Sequence, residues 1–207
     1  MKNRLTVCEH PLLAGALAGL RDAATPSREF RRLMHDAGRI LVLEALKDLP
    51  TKMGKVRTPL KPAPARLPAP VTFAAVLRAG LGFIPGALEA APDARVGFIG
   101  LYRDESTLKP VRYYTRLPAA LENDRVVLLD PMLATGGSAA ESIAILKSEG
   151  ARAVTLVSLL ATKVGADRVH REHPDTRVVT AAVDPVLNSK GYIVPGLGDA
   201  GDRLFGT

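Results

Sequence analysis

The sequence predicts an α/β fold in which a mainly parallel central sheet is flanked by helices. Five short apolar runs rich in valine and leucine hardly alternate with polar residues, which is typical of strands covered on both faces. Stretches with helical character and enough length for a crossover connection lie between these runs. The predicted strands are 71–77, 94–101, 125–130, 153–160 and 177–183, and the predicted crossover helices lie within 82–92, 138–150 and 165–174.

Two further helices are predicted before the sheet, at 11–24 and 28–49. Ser27 precedes the second helix as a plausible N-cap. The second helix is indicated by an apolar stripe at helical spacing, formed by Phe30, Leu33, Met34, Ala37, Leu41 and Ala45.

Residues 50–70 form a basic, proline-rich segment that separates these helices from the sheet. The segment holds five Lys or Arg residues, six prolines and no acidic residue, so it cannot be a regular helix or a central strand. It is either a solvated linker or an edge hairpin, and its charge could also attract polyanions. It lacks the interleaved aromatic residues that would favour nucleic acid.

Composition places the chain among single-domain globular proteins. Its 207 residues are 47% hydrophobic, which suffices for one core. Cys8 is the only cysteine, no stretch of 18 apolar residues occurs, and the first residues do not resemble a signal peptide. We therefore expect a cytoplasmic protein with no membrane partner, organised as a helical segment 1–49, the linker 50–70, an α/β core 71–187 and a tail 188–207.

Ligands of such folds bind at the carboxyl ends of the strands, so the loops that follow the strands are the candidate site. In "DPMLATGGS" (130–138), Gly136 and Gly137 allow a tight turn, and Ser138 with Glu141 matches a capping box that would start a helix. A phosphate suits the free N–H groups of that helix start, and Asp130 could accept hydrogen bonds from sugar hydroxyls. The segment fits neither a P-loop nor a dinucleotide fingerprint.

The run "RVVLLDPMLATGGS" resembles the phosphoribosyl-diphosphate (PRPP) loop of type I phosphoribosyltransferases. Proline at the second acidic position, together with "LRAGLG" (77–82), "YR" (102–103) and "GYIVPGLGDAGDRLFGT" (191–207), is similar to the uracil phosphoribosyltransferases. The resemblance implies the type I phosphoribosyltransferase fold, with N-terminal helices, a flexible arm at 104–116 and an irregular C-terminal hood. It also implies transfer of a phosphoribosyl group from PRPP to N1 of uracil, which gives UMP and pyrophosphate.

The resemblance assigns residues to each part of this reaction. Cations must meet the departing pyrophosphate, which suits the fixed donor fork of arginine. The implied catalytic residues are Arg78, Arg103, Asp130 and Asp199. The implied PRPP ligands are these four with Pro131, Met132, Leu133, Ala134, Thr135, Gly136, Gly137 and Ser138. The implied uracil ligands are Ile193, Gly198, Asp199 and Ala200.

Magnesium is the implied cofactor, held mainly through PRPP oxygens and water rather than by a dedicated protein cage. The resemblance further implies a homodimer or larger homo-oligomer, and a GTP activator of the kind that some relatives use, with no site assigned. No nucleic-acid partner is expected. The four histidines are scattered, and His170 and His173 are predicted to lie solvated on a polar helical face. Catalysis would then depend on positioning and electrostatics.

Two departures and two alternatives accompany this interpretation. Lys163 and Val164 replace a Pro-Glu pair usual in the family, and Ala75 and Val76 replace a Pro-Ile pair. A regulatory protein that senses PRPP, or a transferase for another base such as a purine, would share the phosphate loop. The tail sequence argues against both alternatives.

Overall fold

The computed structural model describes residues 4–103 and 110–207, apart from the side chains of Arg103 and Pro110. The elements are, in chain order, β1 (Leu5–Val7), α1 (Pro11–Arg21), α2 (Ser27–Leu46), β2 (Thr51–Arg57), β3 (Pro62–Pro68), β4 (Val71–Leu77), α3 (Ile84–Ala90), β5 (Arg95–Arg103), β6 (Pro110–Arg116), β7 (Arg125–Leu129), β8 (Met132–Leu133), α4 (Gly137–Ser148), β9 (Val154–Thr162), α5 (Lys163–Glu172), β10 (Arg177–Asp184), β11 (Val186–Leu187), β12 (Ile193–Val194) and α6 (Ala200–Phe205). Short 3₁₀ turns occur at Ala79–Gly82 and Leu121–Asn123.

A mainly parallel sheet runs in the order β1-β10-β9-β7-β4-β5-β6, with the short β8 also paired to β9. All pairs are parallel except β5 with β6. The predicted fold class is confirmed, and each of the five predicted strands is present with ends shifted by at most two residues. The edge strands β1 and β6 were not predicted, because β1 has only three residues and β6 lacks a long apolar run.

Helices cover both faces of the sheet. The chain moves from β4 to β5 in one direction along the sheet and from β7 to β9 and β10 in the other, so right-handed crossovers place their helices on opposite faces. One core packs Val127 and Leu129 of β7 against α1, α2, α3 and α6. The other packs Val126 and Leu128 against α4 and α5. Alternate residues of one apolar strand therefore enter different cores, which is why the run "VVLL" shows no polar alternation.

The basic segment forms a separate two-stranded antiparallel hairpin, β2 with β3, rather than a linker. Three of its prolines stand at alternate positions of β3, at 62, 64 and 68. Alternate residues of an edge strand point their backbone N side away from the partner, so these prolines remove no bond from the ladder. The hairpin was one of the two structures that the sequence allowed.

The starts of two helices differ from the predictions. Ser27 is the first residue of α2, and Pro26 is its cap. Gly136 caps α4 in the left-handed conformation (φ 77°, ψ 0°) without a side-chain hydrogen bond. Ser138 therefore lies inside the first turn and is exposed, and the predicted capping box with Glu141 is wrong.

The tail and the arm are more regular than expected. The tail contains β12 and the short helix α6, whose cap Asp199 accepts a hydrogen bond from the N–H of Asp202 at 2.9 Å. Residues 110–116 of the predicted arm form β6, and the ring of Tyr113 packs on Tyr102 of β5. Residues 104–109 lie outside the described part of the chain.

His170 of α5 and His173, which follows α5, were predicted to be solvated, but both are only partly exposed. Nε2 of His170 is buried and has no hydrogen-bond partner among the described residues. Burial also lowers the pKa of His170. Nε2 of His173 lies 2.9 Å from the carbonyl oxygen of Ala140, so this histidine ties the end of α5 to α4.

No helix in residues 4–103 and 110–207 is long and apolar enough to span a membrane.

Candidate active site

Three adjoining cavities open at the carboxyl edge of the sheet, where β4, β7 and β9 end. Met132 lines all three, because its strand β8 continues the chain from β7 across this edge. One cavity follows the loop 130–138, one follows the tail, and the third lies between them. The site therefore forms a continuous groove along this edge.

The first cavity, of about 240 Å³, is formed by the loop 130–138, which we call the phosphate loop. Helix α4 begins there, and its first helical bond runs from the N–H of Ala140 to the carbonyl oxygen of Gly136 at 2.9 Å. The N–H groups of residues 137–139 precede that bond and have no acceptor within the helix. With the positive end of the helix dipole, they favour an anion such as a phosphate. Asp130, Met132, Leu133, Ala134, Thr135, Gly136, Gly137 and Ser138 line this cavity, together with Ala139, Arg168 and Gly191.

The phosphate loop is held by main-chain contacts to β9 and α5. The carbonyl oxygen of Pro131 accepts hydrogen bonds from the N–H groups of Leu159 and Leu160 at 2.9 and 3.0 Å. Thr162 caps α5 by accepting from the N–H of Gly165, and its hydroxyl donates to the carbonyl oxygen of Ala134 at 2.6 Å. A methyl group on Gly165 would lie 2.5 Å from that same oxygen, so only glycine permits this approach.

Asp130 is the titratable group at the centre of the groove. Burial of its carboxyl group raises its pKa to about 7, and a backbone hydrogen bond at Met132 opposes that rise. The carboxyl group still borders the first and middle cavities, so a ligand can reach it. A carboxyl with such a pKa gains from hydroxyl donors or a cation that favour its ionised form.

The tail cavity, of about 220 Å³, contains all four residues that were expected to bind uracil. Ile193 and Ala200 are buried, whereas Gly198 and Asp199 are exposed. Gly198 has a φ of 80°, which turns its peptide groups toward orientations that other residues rarely adopt. A flat ring could therefore meet apolar side chains on its faces and backbone groups at its edge.

The middle cavity, of about 250 Å³, joins the other two through Asp130, Ser138 and Asp199. Arg78 also lines it, at the point where the chain leaves β4. A guanidinium nitrogen of Arg78 lies 2.7 Å from Oδ1 of Asp202, and both side chains are about half exposed. An exposed ion pair of this kind is weak and can be exchanged for another anion.

Two of the expected PRPP ligands are placed differently from the rest. Pro131 is buried and does not line any of the three cavities of the groove, and its carbonyl oxygen instead helps to hold the loop against β9. Arg103 ends β5, and its side chain is outside the described part of the structure. Leu101 of the same strand lines the middle cavity, so β5 does reach the groove.

Several residues of the groove were missed by the sequence analysis. Arg168 lines the phosphate-loop cavity, while Ala79, Gly191 and Tyr192 line the tail cavity. The signal for Arg168 was its place in the first turns of the helix that follows β9, since such helix starts lie at the ligand-bearing edge.

The departure at Lys163 and Val164 falls on the first two residues of α5. Both are exposed, and Lys163 forms an ion pair with Asp167 at 2.5 Å. The helix nevertheless has a cap in Thr162, so the change leaves its start intact.

Comparisons with known proteins agree with this geometry. The family model for uracil phosphoribosyltransferase matches residues 7–207. A uracil phosphoribosyltransferase of Thermus thermophilus is 48% identical over 206 residues, which cover 99% of each chain. The solved AQ2163 protein from Aquifex aeolicus is 37% identical, covers 97% of each chain and superposes with a TM-score of 0.92.

A more distant structure shows the fold alone. The adenine phosphoribosyltransferase of Trypanosoma brucei, in complex with AMP, pyrophosphate and ribose-5-phosphate, has a TM-score of 0.62 at 15% identity, with 95% of this chain and 88% of that chain covered. The central sheet and its helices are therefore those of the type I phosphoribosyltransferases.

Proposed function

The chain belongs to the uracil phosphoribosyltransferase family, and from that premise we propose how its own residues carry out the transfer. The reaction joins C1 of the ribose in PRPP to N1 of uracil, with loss of the N1 proton, and releases pyrophosphate from C1. The observation that carries this proposal is the groove in which the phosphate loop, Asp130 and the tail residues adjoin.

The phosphate loop is the proposed site of the 5-phosphate. The free N–H groups at the start of α4 and the hydroxyls of Thr135 and Ser138 supply donors around one anion. The middle cavity is the proposed site of the ribose and pyrophosphate, because it lies between this loop and the tail cavity.

Asp130 is proposed to bind the ribose hydroxyls. Its raised pKa means that burial destabilises the carboxylate, while hydroxyl donors from a ligand would favour the charged form. As positive charge develops at C1 during bond cleavage, a nearby carboxylate also stabilises that charge.

Arg78 is proposed to bind pyrophosphate by leaving its exposed ion pair with Asp202. The loss of that pair costs little, whereas arginine binds polyphosphate oxygens through two parallel hydrogen bonds. Arg103 remains a predicted second cation on the strength of the sequence alone.

The tail is proposed to bind uracil through Ile193, Gly198, Asp199 and Ala200. Backbone N–H and C=O groups can pair with the alternating carbonyl and N–H groups of the uracil edge. Cytosine would be rejected, because it has an amino group where uracil has a carbonyl oxygen. The donor of the site that pairs with this oxygen would then face another donor and lose its hydrogen bond.

Magnesium fits the donor set of the groove. The carboxylates of Asp130 and Asp199 both line the middle cavity, and magnesium is held through one or two carboxylates plus substrate oxygens. Among the described residues no group of three metal-binding side chains occurs, which leaves PRPP and water to complete the coordination. When bound with PRPP, the ion would neutralise charge on the leaving pyrophosphate.

The remaining expectations stay predictions from sequence. They are the GTP activator, the homo-oligomer and the cytoplasmic location. The family match extends through the tail to residue 207, which favours the transferase over a regulatory PRPP sensor and uracil over a purine.

The test follows pyrophosphate release from PRPP and magnesium with uracil, cytosine, hypoxanthine or no base. We expect turnover with uracil alone. Asp130→Asn keeps the shape of the side chain and removes its charge, so kcat/KM should fall by roughly 10²–10³-fold, as for other groups that stabilise transition-state charge.

The matched control is Asp175→Asn, which changes an exposed aspartate before β10, on the opposite edge of the sheet. Its activity should equal that of the unmodified protein. Turnover with hypoxanthine, or equal activity of the two variants, would overturn the proposal.

A further inference from the structure

Arg168 is the cationic side chain of the phosphate-loop cavity. Of the described residues that line this cavity, Arg168 alone carries a positive charge. It lies on α5, outside the loop itself, and its side chain is about one third exposed. The other donors of the cavity are neutral N–H groups and hydroxyls.

The guanidinium of Arg168 is directed to the start of α4. A methyl group built on Gly137, the first residue of that helix, would lie 3.1 Å from Nη1 of Arg168. The terminal nitrogens of the arginine therefore lie beside the same helix turn whose N–H groups have no helical acceptor.

Two contacts fix this arrangement. Nε of Arg168 donates to Oε1 of Glu172 one turn later at 2.9 Å, which orients the guanidinium. The backbone of Gly165 packs on that of Gly136, since a methyl group on Gly136 would lie 2.7 Å from the Gly165 oxygen. Helix α5 and the phosphate loop are thus held as one unit, and the arginine is positioned before a ligand arrives.

We propose that Arg168 is a ligand of the 5-phosphate of PRPP, adding a positive charge to a site whose other hydrogen-bond donors are backbone N–H groups and hydroxyls and whose other ionisable side chain is that of Asp130. The inference depends on the proposed function, which places the 5-phosphate in this cavity. A guanidinium beside a helix N-terminus gives a phosphate both a bidentate partner and a favourable dipole.

The location also distinguishes the two ends of PRPP. Arg168 lines the phosphate-loop cavity and does not line the middle cavity, where Arg78 lies. Arg168 should therefore affect a ligand that carries the 5-phosphate, and it should leave the binding of free pyrophosphate unchanged.

The test compares Arg168→Gln with Arg171→Gln. Arg171 lies on the same helix and also approaches Glu172, at 3.5 Å, but it does not line the cavity. Calorimetry would measure the Kd of ribose 5-phosphate and of pyrophosphate, and steady-state kinetics would give KM for PRPP and kcat with uracil.

For Arg168→Gln we expect the Kd of ribose 5-phosphate and KM for PRPP to rise roughly tenfold, the scale of one partly solvated hydrogen bond to a charged group. The Kd of pyrophosphate should stay constant, and Arg171→Gln should match the unmodified protein. Arg168→Lys, which keeps the charge, should recover part of the loss. Unchanged Tm values would show that both variants fold.

Equal behaviour of Arg168→Gln and Arg171→Gln would overturn the inference. So would an equal loss for ribose 5-phosphate and pyrophosphate, because that pattern marks a general field rather than a contact. The unmodified protein could fail to convert uracil while Arg168→Gln still raised the Kd of ribose 5-phosphate. That result would overturn the proposed function but would support Arg168 as a ligand of the phosphate.

Discussion

The phosphate loop and the tail line one groove, yet different forces hold them. The phosphate loop is fixed by main-chain hydrogen bonds to β9 and by the close approach of Gly136 and Gly165. The tail is fixed by side chains that reach it from distant helices. Substitutions should therefore impair the two halves of the site in different ways, one through altered backbone geometry and the other through a lost charge.

Arginines anchor the tail region. Arg21 of α1 pairs with Asp184 at the end of β10 at 2.6 Å and donates to the carbonyl oxygen of Gly196 at 2.9 Å. Asp184 in turn accepts from the N–H of Gly196 at 2.9 Å, which closes a three-membered network.

The last helix is held in a similar way. Arg203 of α6 donates to the carbonyl oxygens of Leu20, Asp22 and Leu197. Its guanidinium also lies 4.3 Å from the ring centre of Phe30, within cation–π range. The base-binding half therefore depends on α1 and α2, which contribute no residue to the phosphate-loop cavity.

Among the changes that separate the two halves of the site, the largest effect is expected from a change in the backbone of the phosphate loop. Gly136→Ala adds a methyl group at a φ of 77° and only 2.7 Å from the Gly165 oxygen, which cannot move away easily. The left-handed conformation alone costs about 1–2 kcal/mol for alanine. Displacement of the phosphate donors should lower kcat/KM for PRPP by roughly 30-fold or more. A shift of about 1 Å in groups that position a substrate can lower the rate by up to about 10²-fold.

Gly15→Ala provides the matched control, because a methyl group there meets no atom within 4 Å and lies inside α1. It should keep full activity and raise stability by about 0.5–1 kcal/mol. If the two variants had the same kinetics, the phosphate loop would not need its left-handed turn.

A smaller effect, on the other substrate, is expected from the tail network. Arg21→Met leaves Asp184 buried with its Gly196 bond alone, and the side chain of Arg21 is one-quarter exposed. We expect the free energy of unfolding to fall by about 2 kcal/mol, which is less than the loss for a fully buried ion pair. Tm should fall by about 4–8 °C, and KM for uracil should rise more than the Kd of PRPP.

Arg32→Met is the control for that change. Arg32 pairs with Glu29 and Asp36 on the exposed face of α2, with 57% of its side chain accessible. Its loss should leave Tm within about 1–2 °C, as for most surface pairs. Should Arg21→Met weaken PRPP and uracil equally, the two halves of the site would not be separable.

The smallest effect is a difference in pH dependence between the halves. The pKa of Asp130 is raised by burial to about 7 from an ordinary value of 3.8, so the folded state retains this proton longer than the unfolded state does. Stability without ligand should therefore fall as pH rises from about 4 to 7 and stay level above 7. We expect this group to lower the free energy of unfolding by about 1–2 kcal/mol over that range. The value is smaller than the full pKa shift would give, because the carboxyl group borders the cavity and is partly screened by solvent.

Asp184 should show the opposite sign. Its pKa is lowered, first by its hydrogen bonds to Arg21, so its contribution is present above about pH 4 and is lost as pH falls through its folded pKa. Thermal unfolding from about pH 2 to pH 8 checks both, because the Asp184 loss falls below its ordinary pKa of 3.8 and the Asp130 loss lies above it. Asp130→Asn should have a higher Tm than the unmodified protein at pH 8, with the gap closing toward pH 4. A gap of constant size would refute the raised pKa.

Much of the fold was predictable because it follows from the pattern of apolar residues within short segments of the chain. Five strands of the sheet and the helices between them were predicted from apolar runs and spacing, and their ends moved by few residues. The start of α4 was misassigned, since Ser138 with Glu141 satisfies the local pattern of a capping box. Gly136 is the N-cap because the loop turns there against Gly165, a residue that is 29 positions away in the sequence.

The sequence by itself determined the parallel sheet and the glycine turn of the phosphate loop, because hydrophobic period and glycine spacing act over a few neighbouring residues. The tail was assigned by its resemblance to the family, and its strand and helix were not predicted. Arg78 was expected in the groove from the resemblance, whereas tertiary structure alone decided the positions of Arg168 and Arg21. Arg168 enters the phosphate-loop cavity, and Arg21 holds a carboxylate 163 residues away. A long charged side chain has no local signature of its partner, since its position depends on how the helix that carries it packs against the sheet.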